Sequence, residues 1–194
     1  MEIQQQGQPV ARVRASKSAY LWFGALLVVA VVALLGTWLV IHDRNESAKV
    51  ALLTVGKPTI VSEAQLRALA AKTSFPVYWA GRKSGAYELT RTADGRIYIR
   101  YLDSASQVGT RAPKYLTVGT YPTKDAFLAI RRAARRPGGL SLKLDNAGLL
   151  VFNTNTPTSV YFGYPSAKYQ VEVFDPSPQQ ARTLVLRGKI KPIE

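Results

Sequence analysis

AYLWFGALLVVAVVALLGTWLVI, residues 19–41, is a run of 23 residues without one charged side chain. As an α-helix rising 1.5 Å per residue it extends ~34 Å, enough to cross a hydrocarbon core of ~30 Å with some tilt. A secretory signal would carry an apolar region of only ~7–15 residues and then a small-residue cleavage site; here His42, Asp43 and Arg44 follow instead. Tyr20, Trp22 and Trp38 lie near the two ends, where amphipathic rings favour the headgroup level. The segment is expected to be a single transmembrane helix. It divides the chain into a basic polar tail (1–18), the span (19–41), a tether (42–61) and a folded domain (62–194).

Working outward, Arg12, Arg14 and Lys17 crowd the N-terminal side of the span, whereas Arg44 is the nearest cation on the other side. The bias places the N-terminus in the cytoplasm and the C-terminal domain outside. The tail has no apolar periodicity, and its cations each add roughly 1 kcal/mol of attraction to an anionic leaflet. The chain carries a formal net charge of +14, most of it beyond the span: residues 42–194 hold 23 Lys+Arg against 11 Asp+Glu. Such a balance favours anionic partners. With no cysteine there are no disulfides, thiolate metal sites or thiol nucleophile.

The domain's first signal is a helix start. Ser62 with Gln65 three residues on makes a capping box, and Val61 with Leu66 a hydrophobic staple, so a helix is expected over Glu63–Lys72. Strands follow at Val77–Ala80, Tyr87–Thr92, Arg96–Leu102 and Tyr115–Tyr121, rich in β-branched and aromatic residues. Asp94-Gly95 between two alternating runs signals a hairpin. In Ile97–Tyr101 the alternation puts Ile97, Ile99 and Tyr101 on one face and Tyr98 and Arg100 on the other. A second helix is expected over Lys124–Arg136, capped by Thr123, with Asp125 in its first turn, Phe127, Ile130 and Ala134 as its buried stripe and Pro137-Gly138-Gly139 as its stop.

Four more strands are expected, at Leu140–Leu144, Leu149–Asn153, Val160–Tyr164 and Tyr169–Asp175. A short helix then starts at Ser177-Pro178, while Thr183–Ile190 reads equally as helix or strand. The order predicts an α+β domain: an antiparallel sheet with two or three covering helices, behind one N-terminal transmembrane helix. Pro76–Ala80 with Tyr87-Glu88-Leu89 echoes Ser159–Gly163 with Tyr169-Gln170-Val171, a hint of internal repetition.

The catalytic inventory is thin. His42, the sole histidine, lies at the membrane edge, which excludes a Ser-His-Asp triad or a His/Cys metal cluster in the domain. The acids are scattered singly, and no glycine-rich loop joins a strand to a helix, so neither a metal nor any other cofactor is expected. The sharpest feature is Arg131-Arg132-Ala133-Ala134-Arg135-Arg136. Its like-charge i,i+4 pairs cost roughly 0.2–0.5 kcal/mol each, offset in part by the helix dipole, and its guanidinium forks suit phosphate or carboxylate groups. Arg131, Arg132, Arg135 and Arg136 are therefore a candidate anion-binding patch. Tyr78, Tyr98, Arg100 and Tyr161 are a candidate aromatic face for stacking on sugars or bases.

Five stretches together resemble a group of uncharacterised actinobacterial single-pass membrane proteins: FPVYWAG at Phe75–Gly81, YELTRT at Tyr87–Thr92, DGRIYIRYL at Asp94–Leu102, YLTVGTYP at Tyr115–Pro122 and VEVFDPSP at Val171–Pro178. The resemblance implies a bacterial envelope protein with an extracytoplasmic α+β domain, and it brings no activity and no site residues. The expectation is a non-catalytic binding or accessory domain anchored in the bilayer. Its expected contacts are anionic lipid, wall polymer or a membrane protein complex, and not nucleic acid. Two alternatives stand beside it: an envelope enzyme using a Ser-Lys or carboxylate site, and an inverted topology whose basic domain binds nucleic acid in the cytoplasm.

Overall fold

Residues 54–194 are described by the structure, a computed structural model of the chain. The tail, the apolar segment 19–41 and most of the tether lie outside the described residues. Within residues 54–194 no helix is long and apolar enough to cross a membrane.

The first helix begins where its cap predicts. The Ser62 hydroxyl accepts from the Gln65 amide at 3.2 Å, and Gln65 Oε1 accepts from the Ser62 amide at 2.9 Å. This reciprocal pair satisfies two donors that the start of α1 (Glu63–Ala70) would leave open. Leu66 and Leu69 are buried with Val61 in the main core, each contributing roughly 1.5–3 kcal/mol. The helix stops two residues short of Lys72, because the Thr73 hydroxyl donates to the Ala70 carbonyl at 2.8 Å and tightens the last turn. The tether ends earlier than expected. Residues Thr59–Val61 form strand β1, paired antiparallel with β3 (Ala86–Arg91), so the domain starts before Ser62.

The remaining strands are β2 (Tyr78–Trp79), β4 (Ile97–Leu102), β5 (Thr117–Pro122), β6 (Gly139–Lys143), β7 (Leu149–Asn153), β8 (Thr156–Gly163), β9 (Tyr169–Phe174) and β10 (Lys191–Pro192). Eight of the ten strands make one antiparallel sheet in the order β1-β3-β4-β5-β9-β8-β7-β6, in which the meanders β3-β4-β5 and β6-β7-β8-β9 meet at β5 and β9 and β1 adds the edge beside β3. The expected strand at Val77–Ala80 does not belong to it. It is β2, which pairs only with β10 in a separate two-stranded ribbon. β8 lies inside the large sheet, so the echo between Pro76–Ala80 and Ser159–Gly163 is not a structural repeat. The ambiguous stretch Thr183–Ile190 is helix at its start: α3 runs Pro178–Leu186, with Ala181, Leu184 and Val185 buried at i, i+3 and i+4.

The second helix, α2 (Ala126–Ala134), is shorter than the expected Lys124–Arg136. Its N-cap is Asp125, not Thr123, and its buried stripe is Ala126 and Ile130; Phe127 and Ala134 are only half-buried. Gly138 at φ +74°, a conformation costly for other residues, lets the chain turn straight into β6.

Topology decides which sheet face is covered. One face carries Leu89, Ile99, Val118, Val173, Val160 and Phe162 and is packed by α1, the β2–β10 ribbon and α3. On the other face α2 carries the chain from central β5 to edge strand β6, and so it lies over β7, β8 and β9. Gly163 admits it: a Cβ there would stand 2.7 Å from Ile130 Cδ1. Among the described residues no α-helix crosses that face over β3, β4 and β5, and this half is where the polar chemistry collects.

Candidate functional site

Strand alternation and register put two rows of side chains on this side of the sheet, running from the uncovered strands towards those under α2. One row runs Glu88, Arg100, Thr117, Phe174 and Ser159, and the next runs Thr90, Tyr98, Gly119, Glu172 and Tyr161. All of these except Ser159 and Tyr161 floor an open cleft of about 670 Å³, walled by the loop 109–113 and by Gly56 and Pro58; Ser159 and Tyr161 lie beside α2. That volume is in the range of small-molecule pockets, ~300–1,000 Å³.

Two carboxylates organise the floor. Glu88 is 1% exposed, and its Oε1 takes the Arg100 guanidinium at 2.8 Å while its Oε2 accepts the Gly109 amide at 2.6 Å. Arg100 also donates to the Thr110 carbonyl at 2.8 Å and lies 5.2 Å from the centre of the Tyr115 ring. One ion pair thus pins the wall of the cleft to its floor. Glu172 is held differently, by hydroxyls: Ser159 Oγ donates at 2.7 Å and Tyr161 Oη at 2.9 Å to Oε1, and Tyr121 Oη donates to Oε2. Tyr121 reaches it by lying over Gly119, where a Cβ would meet the phenol oxygen at 2.9 Å. Burial first, and then the charge of Glu172, raise the Tyr121 and Tyr161 phenols well above the ordinary tyrosine value, so both stay protonated as donors.

Glu88 and Glu172 stand on β3 and β9, three strand-to-strand steps of ~4.8 Å apart, or ~14 Å between backbones across the sheet. Every described lysine is exposed, so none is desolvated as a Ser-Lys base would be.

Of the residues expected to form an aromatic face, Tyr98, Arg100 and Tyr161 lie on the same side of the sheet, Tyr161 on the part that α2 covers. Tyr78 does not join them: it is buried on the opposite face, with its ring edge-on to Phe162 at 5.5 Å and its amide donating to Thr120 Oγ1 at 3.0 Å. Strand β2 lies against the packed side of the sheet, so its tyrosine is core. Sequence reasoning missed Glu88, Glu172, Tyr121 and Ser159. The Asp94-Gly95 hairpin fixes Glu88 opposite Arg100 and made that pair legible, whereas the β5–β9 pairing that brings Tyr121 to Glu172 joins positions 51 apart.

The four arginines lie elsewhere, at the end of α2. All are exposed, and among the described residues none of their guanidiniums has an ion-pair or hydrogen-bond partner. Arg131 and Arg132 occupy the last turn, Arg135 is the C-cap and Arg136 lies beyond it. At 100° per residue Leu128, Arg131, Arg132 and Arg135 fall within about 100° of one another, opposite Ala126 and Ile130. Compared with known proteins, the chain matches no family model, no curated protein and no solved structure.

Proposed function

We propose that this is a single-pass membrane protein whose extracytoplasmic α+β domain is a non-catalytic binding or accessory module of a bacterial envelope, contacting anionic lipid or wall polymer through α2. The observation that carries this reading is the exposed cluster of four guanidiniums at and just beyond the C-terminal end of α2. Four arginines without an internal partner in a shared short stretch cost stability through like-charge repulsion and return nothing to the fold beyond the helix dipole. The 23-residue apolar run at 19–41 supports the anchor, and the crowding of Arg12, Arg14 and Lys17 close to its N-terminal edge supports the outside location of the domain.

Each arginine near an anionic surface contributes roughly 1 kcal/mol, so replacing all four with Gln weakens binding by up to ~4 kcal/mol, about three orders of magnitude. The test is titration of the full chain, held in a zwitterionic micelle, with phosphatidylglycerol vesicles in one arm and soluble polyphosphate in the other. Loss of either interaction in the Gln variant, with the fold intact, supports the reading; unchanged binding in both arms removes it. A reporter fused after Glu194 tests the topology, and activity of a cytoplasm-only reporter would reverse it.

A further inference from the structure

We propose that the cleft on the uncovered half of the sheet is a carbohydrate site that holds a short, uncharged oligosaccharide. The α2 face is selected for anions; the cleft is a separate surface whose charges balance. Its lining contains two carboxylates, Glu88 and Glu172, and two guanidiniums, Arg100 and Arg111. In a chain of net charge +14 this is a locally neutral concavity. A polyanion finds no excess cation there, and a polyamine no excess acid.

The groups that remain are those a sugar uses. Tyr98 presents a half-buried ring on the floor, and aromatic rings offer an apolar face to the C–H side of a pyranose beside polar edges. Thr90 and Thr117 place hydroxyls around it. Glu172 Oε2 accepts one hydroxyl, from Tyr121, and a carboxylate oxygen has room for a second. Tyr115 lines the same cleft, and its hydroxyl, closed off from solvent, has no hydrogen-bond partner among the described residues, an unpaired group that costs roughly 1–3 kcal/mol. A peptide strand is a poorer fit, because the floor is a sheet face whose backbone is already paired, not an open edge.

The test is calorimetric titration of the full chain in a detergent with no sugar headgroup, using cellotetraose, maltotetraose and chitotetraose as probes. The expected result is saturable binding of at least one, with a Kd of about 0.1–1 mM. Tyr98→Ala and Glu172→Gln weaken it by about tenfold or more, and the four-arginine Gln variant leaves it unchanged. Arg111→Ala, at an exposed rim position, is read by the same titration and weakens binding even if a floor variant fails to fold. No saturable binding of any of the three probes, or binding indifferent to Tyr98, Glu172 and Arg111 together, overturns the proposal. Because the two surfaces share no residue, failure here leaves the α2 reading standing, and the reverse holds as well.

Discussion

Replacing Glu88 with Ala removes the group that ties the loop 103–114 to the sheet. The carboxylate is 1% exposed and has two partners, Arg100 at 2.8 Å and the Gly109 amide at 2.6 Å. Its loss leaves the Gly109 donor without an acceptor and Arg100 with only the Thr110 carbonyl and the Tyr115 ring. Breaking one side of a buried pair costs ~3–5 kcal/mol. The Arg100 side chain is 18% exposed, so cleft water recovers part of its solvation and sets the expectation at the low end, ~3 kcal/mol. For a domain of this size that lowers Tm by roughly 6–12 °C. Removing both charges, Glu88→Met with Arg100→Leu, returns stability to within ~1 kcal/mol of the parent, because no charge is left stranded. The assay is urea unfolding followed by Trp79, the buried tryptophan of the domain, in a chain carrying Trp22→Phe and Trp38→Phe. A single variant that costs less than ~1 kcal/mol, or a double variant as unstable as the sum of the singles, would refute the account of this pair.

Other predictions concern separate parts of the domain. Asn146 and Ala147 have φ of 55° and 58° in the turn between β6 and β7, the geometry of a two-residue hairpin that favours Asn-Gly. Ala147→Gly removes an αL cost of ~1–2 kcal/mol against an entropic cost of ~0.5–1, so a net gain of ~0.5–1 kcal/mol is expected, and a loss of stability would contradict that turn. Hydrogen bonds from Arg82 first and then Arg67 lower Glu63 from 4.5 to about 2. The stabilisation is therefore full above the unfolded value and is lost as pH falls through about 4 to about 2; a side-chain NMR titration midpoint near 4 would show that both arginines are disengaged. Burial raises Tyr78, Tyr101, Tyr121, Tyr161 and Tyr164, and phenolate absorbance on alkaline titration is expected to show these five lagging until the domain unfolds. Ionisation of all the tyrosines in one ordinary step, with the fold retained, would oppose their placement.

What could be read from the chain was local. Ser62 with Gln65, Ser177 with Pro178, and Asp94-Gly95 each specify their geometry within a few residues, and all three form as expected. Alternation in Ile97–Tyr101 assigns the faces correctly because one side of the sheet is dry. The failures fall where a distant partner decides the outcome. β1 and β2 are three and two residues long, too short for periodicity, and exist because β3 and β10 pair with them. Tyr78 reads like Tyr98 in composition, yet the ribbon that carries it packs on the opposite face. The cleft itself follows from the crossover of α2 to the far edge of the sheet, which no local pattern encodes.

The central claim is that the arginine face of α2 is the surface through which this domain meets an anionic partner. Hydrogen-exchange mass spectrometry on the full chain, with and without polyphosphate, addresses it directly. The account predicts added protection confined to residues 124–136, fading as salt screens the charges, with β3, β4 and β5 unaffected. Protection absent from 124–136, or strongest along the cleft floor, would contradict it.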